Sequence, residues 1–465
     1  MPQENPQQGV EKPIWRGEAK SNGTANGEAG DLSEVNGHGS DGEEREPVFM
    51  TPMYDRLETN IPRSLMRFSD HPFDDRLQLF PKHDDVLDYL ESYARDVKHL
   101  ISFHTQVVDV RPAQEHPTSP ANGADGAEHA PWTVRTLSLR TNETTTQNYD
   151  AVALASGHFN IPYIPRIPGI RAWAAAYPGA IAHSKHYRHP ARFRGKKVVV
   201  VGNSASGLDI SAQLAPLCQP PLLLSQKSAS YLSADAPARG RADVPPIAEF
   251  VVAGRAVRFA DGRVETGVDA VLFCTGYLYA FPFLAALAPP PVADGASVHN
   301  TYRHLFYAPR PTLAFLALAQ KIIPFPHAEA QAAVLGRMWS GRLGLPDHEV
   351  MRRWEEGVVR ERGAGGEFHT LHFPKDGEYI NEMWDWAAEA DGETGGGDGQ
   401  GEARKGKMPK RWGQWEFWTR ERFPAIRGAF VGRGEGRKDV TRLEELGFDF
   451  EAWREERRKE GKGLL

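Results

Sequence analysis

Apolar positions divide the chain before any side-chain chemistry is considered. Residues 1 to about 47 carry almost no apolar side chains after Trp15 and are rich in Gly, Asn, Glu and Ser. Such a stretch buries too little surface to offset its ordering entropy, which predicts disorder. From Met53 to Phe73 aromatics mix with Pro and Asn without a period, predicting an irregular packed segment. Val86, Leu87, Leu90, Ala94 and Val97 then recur at helical spacing and predict a helix over 84–97. Asp84 and Asp85 stand in its first turn, where the helix dipole favours carboxylates. Apolar runs predict strands at 100–110, 132–140 and 149–155, and the insert EHPTSPANGADGAEHA between the first two reads as a loop. Pro162, Pro165 and Pro168 mark a domain crossing.

A second α/β unit starts at Lys196, with a strand at 197–201, a Gly/Ser turn, a helix to about Leu217 and a strand at 222–225. It closes near residue 262. The run 268–274 (VDAVLFC) then repeats the pattern of 149–155 (YDAVALA), an Asp followed by an apolar strand and a glycine turn. This is weak internal symmetry between two domain exits. Residues 311–345 read as strand then helix, with Glu329, Gln331 and Arg337 among alanines. Residues 387–411 are Gly-, Glu- and Lys-rich and predict a flexible insertion. From Trp412 to 465 the tail is charged and partly helical, with no chemistry assigned.

A chain of 465 residues implies two or three units. A net charge of −6 argues against nucleic-acid binding. Cys218 and Cys274 are the two cysteines and form no CxxC, which disfavours a zinc site or a dithiol pair and fits a reducing compartment. No signal peptide and no run of about 18 apolar residues is found, so the expectation is a cytoplasmic enzyme without a membrane span.

Gly202-Asn203-Ser204-Ala205-Ser206-Gly207 follows a buried strand and opens a helix. In that context a glycine turn lets backbone approach a pyrophosphate, and the helix N-terminus binds it. Ser204 replaces the usual middle glycine. The alternative is a structural turn in a nucleotide-free domain. At the end of the next strand stands Ser225-Gln226-Lys227, without the carboxylate that grips an unphosphorylated ribose. Lys227 therefore favours NADPH over NADH, unless it is only a solvated surface charge.

Four stretches together resemble the flavin-containing monooxygenase family. Tyr177 to Tyr187, with Gly179 and His183, is similar to its F-x-G-x-x-x-H-x-x-x-Y identifying sequence. Leu57–Phe73 resembles its T-N-x-P-x-x-L-M-x-F-S-D-x-P-F region, Phe273–Tyr277 its F-A-T-G-Y motif, and 311–346 a further family segment. The resemblance covers roughly 48–385. It implies an α/β fold of two dinucleotide-binding, Rossmann-like domains. The NADPH domain (166–263) would be inserted in an incomplete FAD domain (48–165 and 264–386). The family's opening strand–GxGxxG–helix unit has no counterpart before Pro47, which suggests a truncated or mis-started copy, or loss of tight FAD binding; the first is favoured. The implied activity is an NADPH-dependent flavin monooxygenase of the N,N-dimethylaniline type. It would use FAD, NADPH and O2 to oxygenate sulfur or nitrogen nucleophiles through a C4a-hydroperoxyflavin, with no metal. Asn60 would orient groups at the reaction centre, flanked by Thr59 and Ile61. Val107 and Val108 would meet the FAD adenine, and Ala155, Ser156, Gly157, Gly276 and Tyr277 would pass close to the FAD. His183 and Tyr187 would fix the domain junction. Two alternatives stay open: an inactive NADPH-binding remnant, and a Baeyer–Villiger monooxygenase, disfavoured by Tyr187 where that group has Trp. The oligomeric state is open, a homo-oligomer included.

Overall fold

Four consecutive valines lie at the centre of the fold. In the computed structural model, which describes residues 14–16, 46–113, 132–230, 240–392 and 406–460, Val198–Val201 is the middle strand of a five-stranded sheet. Leu222–Ser225 and Arg241–Val244 lie to one side, Ala270–Phe273 and Ile181–His183 to the other, and every pair is parallel. A parallel sheet covered on both faces needs apolar residues at successive positions rather than alternate ones. Accordingly Val198, Val200, Leu222, Leu224 and Leu272 pack with Ile210 and Leu214 of the helix Ala205–Leu214. On the other face Val199, Leu223, Val271 and Phe273 meet Trp173, Phe250 and Phe259. Strand order reverses beside Val198–Val201, and crevices in such sheets open at the carboxyl ends there.

Ala270–Phe273 carries the nucleotide unit past residue 263, the boundary expected from sequence. The excursion before it is a three-stranded antiparallel meander over 247–265, after which the chain returns to the free flank of the central strand.

The remainder is built differently. A four-stranded sheet runs in the order 301–302, 306–307, 313–315, 152–154, and only its last pair is parallel. Val152–Leu154 is an edge strand among the described residues. A separate antiparallel meander joins Thr105–Pro112, Trp132–Ser138 and Thr144–Tyr149, with a bulge between Val107 and Asp109. Trp132 docks this meander on the sheet, its Nε1 donating to Thr312 Oγ1 at 2.9 Å. The helix Pro324–Trp339 packs along Lys375–Gly392. The two chain crossings between the halves, Ile161–Pro162 and Tyr277–Leu278, pair antiparallel.

Several expectations change. The helix expected over 84–97 is α-helical over His83–Tyr93 and tightens to a 3₁₀ turn over Arg95–Leu100. Residues 387–392 belong to a helix rather than to a flexible insertion, because Ala387 and Ala390 pack inward. Ile14–Arg16 and Glu46–Val48, inside the segment expected to be disordered, form a short antiparallel ladder. The rest of that segment, the 115–130 insert and residues 393–405 lie outside the described residues. The C-terminal region is folded in: Trp418, Ile426 and Phe430 of the helix Gln414–Gly432 bury against Leu79 and Phe80. No helix among the described residues is long and apolar enough to cross a membrane.

Candidate active site

The carboxyl ends of three sheet strands converge on one cleft. Gly202 follows Val201, Cys274 follows Phe273 and Ser184 follows His183, and all three following residues line it. Its volume is 2350 Å³, well above the roughly 300–1,000 Å³ of a site for one small ligand. It is too large for a single small ligand.

The turn at its floor needs glycine. Gly202 has φ +102°, and a Cβ there would lie 2.6 Å from the Cys274 carbonyl oxygen. A Cβ on Gly207 would lie 1.8 Å from the Gly202 oxygen. Backbone is thus packed on backbone, and the first turn of the helix Ala205–Leu214 opens on the cleft through Ser204, Ala205 and Ser206. Glycine at these two positions lets the turn and helix close on the sheet, which brings a helix N-terminus to the cleft, a setting that suits a diphosphate. Asn203 closes its outer side, with Nδ2 donating to Gln226 Oε1 and to the Ser228 carbonyl, both at 2.7 Å.

The opposite wall carries Thr59, Asn60 and Ile61. This extended segment is fixed to 79–83: Thr59 N donates to Pro81 O, Arg63 N to Leu79 O and His83 N to Leu57 O, at 2.9, 2.9 and 3.1 Å. Thr59 Oγ1 donates to Ile61 O at 3.0 Å, and Ile61 is buried. Asn60 stands between them in the cleft lining. Val86, Leu87 and Leu90 also line it. Val86 and Leu90 also pack against the core around Leu65, Phe73 and Tyr89, whereas Leu87 is 56% exposed.

Gly276 and Tyr277 line the cleft at the junction. The Gly276 carbonyl accepts from Tyr163 N at 2.9 Å and from His183 Nε2 at 3.0 Å. His183 Nδ1 accepts from Lys185 N at 3.1 Å, so both ring nitrogens are committed. Burial lowers the His183 pKa to about 4, which keeps the ring neutral. Tyr187 is buried, donates to Gln213 Oε1 at 3.1 Å and stands edge-on to Tyr54. Gly179 takes φ +78° in the turn before His183. Tyr54 donates to Asp209 Oδ2 at 2.6 Å, and burial raises both groups' pKa values. Cys274 is buried, and burial pushes its thiol up to about 12, so no thiolate is on offer.

Six residues expected at the cofactors are not part of this cleft's lining. Val107 and Val108 stand at the bulge of the separate meander and do not line the cleft. Ala155, Ser156 and Gly157 are exposed beyond the edge strand Val152–Leu154, because no described strand covers that edge. Lys227 is exposed past its strand, outside the cleft lining.

The C-terminal region, to which sequence reasoning assigned no chemistry, supplies a wall. Arg420, Phe423, Pro424, Arg427, Gly428 and Val431 line the cleft from one face of Gln414–Gly432. Their helical spacing was a legible signal. Arg420 is buried, its Nε donating to the buried Asp376 carboxylate at 2.6 Å. Arg427 and Arg437 both pair with Glu58, at 3.2 Å, tying the tail to the Asn60 segment.

The flavin-binding monooxygenase-like family profile matches residues 41–241 and 244–389. The chain belongs to this family. Its members use FAD and NADPH. Flavin-containing monooxygenase iboF of Amanita muscaria is 31% identical over 393 residues, covering 74% of this chain and 72% of that protein. The thiol-specific monooxygenase of Saccharomyces cerevisiae is 33% identical over 308 residues, covering 63% and 66%. The chain thus spans about two thirds of the length of these curated relatives. Among solved structures, S-allyl-L-cysteine S-oxygenase from Allium sativum superposes with TM-score 0.68 at 27% identity, covering 91% of this chain and 87% of that one. The two-domain Rossmann-type architecture is shared with it. Among the described residues no group of His, Cys, Asp and Glu is arranged to hold a metal ion.

Proposed function

We propose that this family member oxygenates a soft nucleophile, sulfur before nitrogen, with NADPH and O2. The observation that carries the reading is a single cleft joining the glycine phosphate turn at 202–207 to Asn60 on the facing wall. When bound, FAD supplies oxygen activation and NADPH the hydride. The chain's own part is binding, orientation and exclusion of water. Gly202 and Gly207 allow the turn to pack tightly on the sheet, and the helix N-terminus so placed would stabilise the charge of a diphosphate. The Asn60 carboxamide both donates and accepts, so it can hold one polar group of coenzyme or substrate in register. Leu57, Ile61, Leu90, Phe325 and Phe423 give the cleft its apolar lining. Neither His183 nor Cys274 serves as base or nucleophile, since one is neutral and fully bonded and the other a buried thiol. The thiol-specific and S-allyl-L-cysteine names of two relatives support sulfur as the acceptor.

One observation favours a second reading, coenzyme binding without flavin: Ala155–Gly157, expected beside the FAD, are exposed. A single preparation decides. The chain is incubated with FAD, freed of unbound flavin, and followed by visible spectrum, NADPH oxidation and thiol oxygenation. A yellow protein whose product formation falls about 100-fold in Asn60→Ala, with NADP⁺ binding retained, is expected. A colourless protein that binds NADP⁺ but forms no product would overturn the first reading and leave the second.

A further inference from the structure

The segment that carries Asn60 is shared between two cores. Tyr54 and Leu57 pack in the nucleotide half with Ile210 and Leu214. Ile61, Leu65 and Met66 pack in the flavin half with Phe306 and Ala314. Asn60 therefore stands in a short span held at both ends. Its far end is the pairing of 59–63 with 79–83. Between the ends, Glu58 is held by Arg427 and Arg437.

The near end has two anchors. Arg188 donates to the Met53 and Thr51 carbonyls, each at 2.7 Å, and its own carbonyl accepts from Asp55 N at 3.1 Å. That anchor fixes the segment to the junction after His183. The second anchor runs to the helix of the phosphate turn. Asp209 lies on Ala205–Leu214 one turn beyond Ser206, and both residues line the cleft. Asp209 Oδ2 accepts from the Tyr54 hydroxyl at 2.6 Å and from Gln213 Nε2 at 2.9 Å. Gln213 Oε1 accepts in turn from Tyr187 at 3.1 Å, so the carboxyl group is oriented from within its own half. Tyr54 is buried with its ring edge-on to Tyr187, which fixes where its hydroxyl points. A buried polar network whose members are bonded in this way is rigid.

We propose that Asp209, acting through Tyr54, is a positioning residue for the oxygenation: it sets the register between the phosphate turn and Asn60, and so where a coenzyme bound on the turn stands relative to Asn60. This rests on the function proposed above. Asp209 moves no proton in this role. An acceptor oxygen is all that Tyr54 and Gln213 require of it.

The test uses the full chain. Tyr54→Phe removes the hydroxyl and keeps the ring. Without ligands, amide hydrogen exchange of residues 57–61 is expected to quicken about 5- to 10-fold in this variant. With FAD and NADPH, sulfoxide formation from thioanisole is expected to fall about 10-fold. NADP⁺ affinity, measured by calorimetry, is expected to stay at the wild-type value, because the turn itself is untouched. Asp209→Ala follows Tyr54→Phe. Asp209→Asn, whose carbonyl oxygen accepts from the same two donors, restores both exchange and product. In an Asn60→Ala background Tyr54→Phe costs no further product, since the two act as one unit. Wild-type exchange at 57–61 in Tyr54→Phe, a loss in Asp209→Asn equal to that in Asp209→Ala, or a further loss on top of Asn60→Ala would each overturn the assignment. Those outcomes leave the monooxygenase reading standing. Wild-type chain that forms no sulfoxide overturns both.

Discussion

The two strands that share a sequence pattern meet different fates. Val268–Cys274 and Tyr149–Ala155 each place an Asp before an apolar run and a glycine turn. The first run becomes Ala270–Phe273, fully buried between Val198–Val201 and Ile181–His183. The second becomes Val152–Leu154, an edge strand of intermediate burial. The glycine turn after the first lines the cleft, and the turn after the second is exposed. Strand pattern alone specifies a strand; its neighbours decide whether the turn that follows becomes part of a site.

Glycine substitutions give the largest test of this contrast. Gly207→Val should abolish NADP⁺ binding and cost roughly 3 kcal/mol or more, read by titration and denaturant unfolding, since backbone oxygen occupies the Cβ position. Gly157→Ala meets nothing within 4 Å and has only its φ of +70° against it. It should cost about 1 kcal/mol and leave NADP⁺ binding intact. Equal effects would erase the distinction between the turns.

Acid should separate the halves next. In the flavin half His304 and His369 touch at 2.9 Å through their Nδ1 atoms, and His327 stacks on Tyr379 with neither ring nitrogen bonded. Burial lowers His327 and His369 to about 3. A histidine that resists protonation when folded binds protons more readily when unfolded. Its contribution is full above about pH 6.5 and is lost as pH falls toward 3. The loss at pH 5 relative to neutral should be roughly 2 kcal/mol per histidine. His327→Phe should be nearly neutral for stability at pH 7 and should flatten the decline, measured by unfolding across pH.

Matched valines come third. Val271→Ala, fully buried, should cost roughly 2 kcal/mol, and Val152→Ala about half that, by denaturant unfolding. The smallest effect belongs to Lys227→Ala. Its side chain is exposed outside the cleft, so the NADPH to NADH preference in a titration should not move.

What was legible followed the range of the determining interactions. The turn 202–207 could be read because strand, glycines and helix start are contiguous, and the structure puts that turn on the cleft floor. The strand Leu222–Ser225 fell where its apolar run stands. Asn60 could be placed by the resemblance, and it lines the same cleft. The spacing of residues 420–431 marks a helix face, but not the wall that this face joins. Arg420 gains its place from Asp376, 44 residues earlier, and Arg427 from Glu58, 369 residues away. Tyr54 carries no local signal, because its partner Asp209 lies 155 residues away. The unit boundary was missed because a meander separates Ala270–Phe273 from the strands it joins.

The paired crossings have a mechanical consequence. Ile161–Pro162 and Tyr277–Leu278 run side by side, with Thr275 Oγ1 and Tyr163 N adding bonds at one end. Two covalent straps laced together join the halves along one short line, as the spine of a book joins its covers. Pro162, Tyr277 and Leu278 of that spine also line the cleft, so any substitution made to stiffen the junction changes the wall of the site as well.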